Sequence, residues 1–239
     1  MNAPRTAFLL LEEHPYGREM LRQLLEAGFP PALVLEERSE VARVEREKFS
    51  ERIGEHRLPP SVAELVRAEA LVHARVADHR KSECLAAVRA VQPELILLGG
   101  TRILRGELLQ VAPLGMLNCH PGLLPECRGS ASPAWSVLHD LPVGSTCHFC
   151  DAGIDTGDLL LRRQLPVRRG MTYEDLCYGT LVLSAELMVE ALRSYLDGRW
   201  HELRRPQGSS GHPTFKNAPQ EVLAKVRDKL SRGTYAHFE

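Results

Sequence analysis

After Pro93 the chain reads Glu94-Leu95-Ile96-Leu97-Leu98-Gly99-Gly100. Four consecutive large aliphatic residues, bounded by proline on one side and glycine on the other, predict a strand apolar on both faces. Strands of that kind sit at the centre of parallel sheets whose two faces are both covered by helices. Parallel α/β sheets bind ligands beyond the carboxyl ends of their strands. The residues that follow Gly100 are therefore the ones to search for chemistry.

Upstream, Ala7 to Leu11 is a short apolar run followed by turn residues and by Arg18, Leu21, Leu24 and Leu25 at helical spacing, a strand–turn–helix pattern. Ala32 to Leu35 is expected to be a second strand. Glu36 to Arg57 carries both signs of charge and reads as a solvated helix and loop ended by Pro59-Pro60. Leu71 to Val76 predicts a strand and Ser82 to Val91 a helix. Downstream, Met116 to Asn118, Ser145 to Cys150 and Leu159 to Leu165 predict strands, and Tyr173 to Leu196 a long amphipathic helix stopped at Gly198. After Trp200 the texture changes to Pro206, Gly208, Ser209, Ser210, Gly211 and Pro213, with a short helix from Gln220 to Leu230. Residues 1–200 are thus expected to form the main α/β domain and 201–239 a C-terminal extension.

Composition narrows the function classes. The 239 residues are 44% hydrophobic and 26% charged with a net charge of −1, the profile of a globular protein with a full core and no overall attraction to nucleic acid or anionic membranes. The N-terminal apolar run is far shorter than the roughly 20 residues of a membrane span and does not resemble a signal sequence, so a cytoplasmic location is expected. Six cysteines in such a chain read as free thiols. Cys147 and Cys150 have CxxC spacing, but on a strand residues three apart face opposite sides, so no metal is expected there.

Two segments carry chemistry. Leu117-Asn118-Cys119-His120-Pro121 continues a strand, and its period of two puts Asn118 and His120 on one face. Gly153-Ile154-Asp155-Thr156-Gly157-Asp158 is a glycine-flanked turn able to bring a carboxylate to a reacting centre. An amide donor, an imidazole and a carboxylate are what acyl transfer to an amine needs: a donor for the developing oxyanion, a proton acceptor, and a charge that orients the imidazole.

The block Leu117-Asn-Cys-His-Pro-Gly-Leu-Leu-Pro-Glu-Cys-Arg-Gly129, with Gly144-Ser-Thr-Cys-His148 and Gly153-Ile-Asp-Thr-Gly-Asp158, resembles the catalytic domain of folate-dependent formyltransferases. These include glycinamide ribonucleotide, methionyl-tRNA and amino-sugar formyltransferases. The resemblance runs from about Gln92 to Val167. It implies a Rossmann-like, mostly parallel central sheet with helices on both faces, Asn118, His120 and Asp155 as the catalytic trio, and 10-formyltetrahydrofolate as donor without a metal. It further implies that Thr101, Arg102, Ile103 and Leu104 line one side of the pterin pocket and Cys150, Asp151, Ala152, Gly153 and Ile154 the other. Leu124-Pro125 matches a pair whose peptide bond is cis in relatives.

The chain departs from the family in three places. Glu12-Glu13-His14-Pro15-Tyr16-Gly17-Arg18 stands where the glycinamide ribonucleotide branch has a glycine-rich phosphate loop, and two carboxylates there would repel a phosphate. Gly122 replaces the serine usual after His-Pro. The basic C-terminal domain of tRNA-acting relatives has no counterpart after Trp200. The expected acceptor is therefore the amine or hydroxylamine of a small metabolite, an amino sugar, modified amino acid or peptide intermediate, with no nucleic-acid or membrane partner. Glu12, Glu13, His14 and Arg18 are candidates for binding it. Formyltetrahydrofolate hydrolysis, or a non-catalytic folate- or nucleotide-binding regulator, are the rival readings. Arg162, Arg163, Arg168 and Arg169 read as solvated charge before substrate ligands. Tyr235, His237 and Phe238 are free to cover a neighbouring surface or a second copy, which leaves a homodimer open.

Overall fold

The computed structural model describes residues 2–239. β1 (Thr6–Leu11), β2 (Leu33–Glu37), β3 (His73–Val76), β4 (Leu95–Leu98), β5 (Met116–His120), β6 (Gly144–Phe149) and β7 (Leu159–Gln164) form one sheet in the order β3-β2-β1-β4-β5-β6-β7. The first five are mutually parallel, β6 runs antiparallel to β5, and β7 runs antiparallel to β6. The sheet is the Rossmann-like, mostly parallel one expected. Its strand order reverses between β1 and β4, and in such sheets the reversal opens a crevice at the carboxyl edge.

Alternation along each strand divides the core into two layers. Phe8, Leu10, Val34, Leu95, Leu97, Leu117 and Cys119 point to one face. Ala7, Leu9, Leu33, Leu35, Ile96, Leu98 and Met116 point to the other. The first face is covered by α1 (Pro15–Glu26), α2 (Glu40–Ile53), α3 (Val62–Ala68), α5 (Ser132–Leu138) and the 24-residue α6 (Tyr173–Leu196). The second carries α4 (Ser82–Ala90) and a 3-10 turn at Gly106–Gln110. A capping box between Thr172 and Asp175 starts α6, which ends before Gly198.

One expectation is corrected. Glu36 is not in a solvated helix: Glu36 and Glu37 are both fully buried in β2, and α2 begins only at Glu40. Burial is tolerated because Glu36 accepts from the backbone of Glu13 at 2.9 Å and lies 2.7 Å from His73 Nε2, while Glu37 accepts from the backbone of His79 at 2.9 Å and pairs with Arg102. The segment after α7 (Trp200–Leu203) packs against the rest of the chain. Phe215 bridges to Gly129, and α8 (Gln220–Ser231) sends Val222, Val226 and Leu230 into the first-face core. Tyr235 donates to the Leu141 carbonyl at 2.7 Å and Phe238 lies beside Val167, so the tail covers this chain's own surface. Among the described residues no helix is long and apolar enough to cross a membrane.

Candidate active site

A cavity of about 840 Å³ opens at the reversal of strand order, and Asn118, His120 and Asp155 all line it. β5 delivers the first two from alternate positions. The turn before β7 brings Asp155 to them: Asp155 Oδ2 lies 3.4 Å from His120 Nδ1, and Asp155 Oδ1 lies 3.6 Å from His148 Nε2. Asp155 has φ 53°, a left-handed conformation that a non-glycine residue holds only when its surroundings impose it. Those surroundings are Gly129 N, which donates to its carboxylate at 2.9 Å, and Arg128 and Gln207, which donate to its carbonyl at 3.2 and 3.0 Å. Gly157 makes the turn possible, because a Cβ there would sit 1.9 Å from the Phe149 carbonyl oxygen.

The hydrogen-bond partners fix the tautomers. His120 Nε2 is 2.7 Å from the Cys127 carbonyl, which can only accept, so Nε2 carries the proton and Nδ1 presents a lone pair to the cavity. His148 Nδ1 is held by the Phe149 carbonyl at 2.9 Å, so its Nε2 accepts from the Asn118 amide at 3.2 Å. His148 thereby sets the orientation of that amide and leaves its second N–H available. Burial lowers the His120 pKa below the ordinary histidine value, against an upward pull from Asp155. Burial also pushes Asp155 upward, but attraction to His120 and His148 in their charged forms, with the Gly129 amide, outweighs it and holds the carboxyl well below the usual range. The resting site is a neutral imidazole facing an ionised carboxylate.

Gly122 has a structural reason. A Cβ at that position would come within 2.7 Å of His120 Nε2 and 2.8 Å of the Cys127 carbonyl. The space beside the ring belongs to Ser132, at the start of α5, whose hydroxyl is 3.0 Å from His120 Nε2. A hydroxyl thus stands beside this histidine, supplied from a different element. Thr146 braces the same turn, donating to the Gly122 carbonyl at 2.8 Å and accepting from Leu124 N at 3.0 Å. The Leu124-Pro125 bond is cis.

The cavity has two ends, on the two sides of the sheet edge. At one end Thr101, Arg102, Ile103 and Leu104 face Cys150, Asp151, Gly153 and Ile154, with Leu98, Leu109 and Met116 as floor. These apolar floor residues belong to the second-face core. Ala152 is exposed and does not line the cavity. The Arg102 guanidinium turns away to Glu37 and Asp78, so it anchors its loop. Ile103 (50% exposed) and Ile154 (36%) are two of the few exposed large apolar side chains, and they form lips on opposite sides of this slot. At the other end stand His14, Tyr16, Phe49 and Arg52 with a strap of residues 214–217.

Of the residues proposed from sequence to bind the acceptor, only His14 lines the cavity. It caps α1, is buried, and its pKa is lowered to about 3 by burial and then by Arg52. Glu13 instead accepts from the backbones of Val62 and Ala63, closing the start of α3 at 3.0 and 3.3 Å. Glu12 lies 3.5 Å from both Arg38 and Arg75. Arg18 donates to the Pro59 and Pro60 carbonyls. Arg162 and Arg163 pair with Glu126, Glu186 and Glu190 outside the site. His148, Ser132, Gln207, Phe49, Arg52 and the strap are site residues that sequence reasoning missed. Only His148 left a signal, its place on a strand within the quoted motif. Cys147 is buried in one core layer while Cys150 lines the cavity beside the other. Among the described residues no group of three or more His, Cys, Asp or Glu is arranged to hold a metal ion.

A Rossmann-like sheet brings an amide, an imidazole and a carboxylate together at its switch point, and comparison with known proteins gives the family. The formyl transferase profile matches residues 19–192, and the chain belongs to that family. The methionyl-tRNA formyltransferase of Anaeromyxobacter sp. (strain K) is 36% identical over 152 residues, covering 63% of this chain and 45% of the relative. The chain spans about half the length of the curated relatives it matches. Among solved structures, glycinamide ribonucleotide transformylase 1 from Symbiobacterium toebii superposes with a TM-score of 0.63 at 24% identity, over 82% of this chain and 89% of that one. The formyltransferase PseJ from Anoxybacillus kamchatkensis, in complex with UDP-4,6-dideoxy-4-formamido-L-AltNAc and tetrahydrofolate, gives 0.57 at 17% identity over 95% and 94%. These likenesses show the fold.

Proposed function

We propose that the chain transfers the formyl group of 10-formyltetrahydrofolate to the amine or hydroxylamine of a small metabolite. The observation that carries this reading is the arrangement of Asn118, His120 and Asp155 at the junction of the two cavity ends, with His120 neutral and its Nδ1 lone pair toward Asp155. The residues present suit a reduced folate. The slot between the 101–104 and 150–154 loops has an apolar floor and two isoleucine lips, which favours a flat heteroaromatic ring. PseJ, with the same fold, holds tetrahydrofolate and a formylated nucleotide sugar.

In this reading each residue has a task. As the amine attacks the formyl carbon, the Asn118 amide donates to the oxygen on which negative charge develops. Nδ1 of His120 takes the proton released by the amine, and ionised Asp155 stabilises the resulting imidazolium. The new C–N bond completes as the bond to the folate nitrogen breaks, and His120 returns its proton to that leaving nitrogen. His148 holds the Asn118 amide, and Ser132 and the Cys127 carbonyl hold the imidazole. A cavity of about 840 Å³ has room for the head of the donor and a small acceptor together.

Release of tetrahydrofolate from 10-formyltetrahydrofolate, followed with and without a panel of amines, tests the reading. Transfer requires release that depends on an amine. Release at the same rate without amine means hydrolysis, and saturable binding without turnover means a regulator; either result ends the proposal.

A further inference from the structure

The acceptor end of the cavity is built from elements far apart in sequence. Phe49 and Arg52 come from α2, and Thr214, Phe215, Lys216 and Asn217 from the strap before α8. The strap is held rigidly. Phe215 N donates to the Arg128 carbonyl at 2.8 Å and Ser130 N to the Phe215 carbonyl at 2.9 Å. Trp135 stacks on Phe215 with centroids 5.0 Å apart, and its indole donates to the Lys216 carbonyl at 2.8 Å. Arg52 closes the rim by donating to Asn217 Oδ1 at 3.2 Å. An ordered strap of this kind costs chain entropy, which a cavity wall with a ligand to hold would justify.

Two cations meet at this rim, and among the described residues neither has a carboxylate within ion-pair distance. Arg52 is half-buried and bonded only to the neutral Asn217 amide, and Lys216 is exposed. Glu45 lines the same end but is paired with Lys48 at 2.9 Å. The opposite end, between the 101–104 and 150–154 loops, presents no unpaired cation, because Arg102 is bound to Glu37 and Asp78. The Phe49 ring, 4.9 Å from that of His14 and 6.0 Å from that of Tyr16, forms an aromatic wall between the cations and the catalytic trio.

We infer that Arg52 and Lys216 clamp an anionic group of the acceptor, so that the amine substrate carries a phosphate or a carboxylate, with the strap of residues 214–217 as a fixed wall of its subsite. This rests on the formyl-transfer reading of the site. Both cations bind such groups by charge-assisted hydrogen bonds, and the planar guanidinium of Arg52 does so in two-pronged fashion. The expected substrate class is a phosphorylated or carboxylated amine whose nitrogen reaches past Phe49 to Asn118 and His120. An anion bound there leaves His14 neutral and packed, since that ring serves as wall and helix cap.

Calorimetric titration of the full chain with inorganic phosphate, and separately with succinate, in saturating tetrahydrofolate tests the inference. At least one anion is expected to bind with tetrahydrofolate present, and the better one names the acceptor's group. In the Arg52→Gln, Lys216→Gln double variant that affinity should fall about tenfold to hundredfold, the loss of hydrogen bonds to a charged group, while tetrahydrofolate affinity is unchanged. The charge-preserving Arg52→Lys, Lys216→Arg variant should retain anion binding, which separates lost charge from lost folding. Undiminished anion affinity in the glutamine variant overturns the clamp alone. If tetrahydrofolate excludes the anion, or the glutamine variant loses tetrahydrofolate, the cations serve the glutamate tail of the donor and the inference is wrong. If tetrahydrofolate does not bind the unmodified chain at all, the formyl-transfer reading falls first.

Discussion

The two ends of the cavity meet at Asn118 and His120 but are made in opposite ways. The slot between residues 101–104 and 150–154 lies against one core layer, has an apolar floor of Leu98, Leu109 and Met116, and is formed by loops leaving adjacent strands. The end lined by His14, Phe49 and Arg52 lies on the other side of the sheet edge. Its wall combines an early helix, α2, with residues 214–217, which return from beyond α6 and are pinned by Trp135 and Phe215. One end follows from the sheet itself. The other depends on long-range packing.

If the trio is the shared centre, its loss should affect turnover without favouring either end. Asn118→Ala is expected to lower turnover by about 10² to 10³, the typical consequence of removing one oxyanion donor, with the donor KM little changed in steady-state assays. A full effect on donor affinity and none on turnover would move Asn118 out of the centre and into the folate slot. The double change Ile103→Ser, Ile154→Ser sharpens the contrast between ends. It removes the apolar lips, so the donor KM should rise roughly tenfold by lost apolar contact while the acceptor KM stays where it was.

Smaller effects are expected around His120. Ser132→Ala deletes one hydrogen bond to the imidazole, worth about 1 kcal/mol, and turnover should fall about fivefold. A variant as active as the parent would show that Cys127 alone orients the ring. The pH profile should shift least in amplitude but in a defined direction. His120 accepts a proton only when neutral, and burial holds its pKa below the ordinary value of 6.5. Activity is therefore retained as pH falls to that value and is lost below it, through the lowered pKa. Asp155→Asn removes the upward pull on His120 and should carry this acidic limb further down while reducing turnover.

These contrasts explain what could be read from the sequence. Leu95–Leu98 announced a central strand because its burial on both faces leaves no polar alternation to hide. Asn118 and His120 were legible because they are two apart on one strand, and local periodicity alone places them together. Ser132 was not, since its contact with His120 depends on how the chain returns after the turn at Gly122. Gln207 and Lys216 lie in a stretch rich in glycine, serine and proline that reads as a tail, and only tertiary contacts with Asp155 and Trp135 give them a place. Glu12 and Glu13 misled for the converse reason. They stand at the end of β1, but Arg38, Arg75 and the first turn of α3 hold both carboxylates outside the cavity.

In the proposed reaction Asn118, His120 and Asp155 move a formyl group from folate to an amine. Incubation of the chain with isotopically labelled 10-formyltetrahydrofolate and a pooled library of small amines, read by mass spectrometry beside the Asn118→Ala variant, tests it most directly. The account predicts that at least one amine acquires the labelled formyl group with the unmodified chain, and about 10² to 10³ less of it with the variant. Labelled formate released in place of any formylated amine would contradict it.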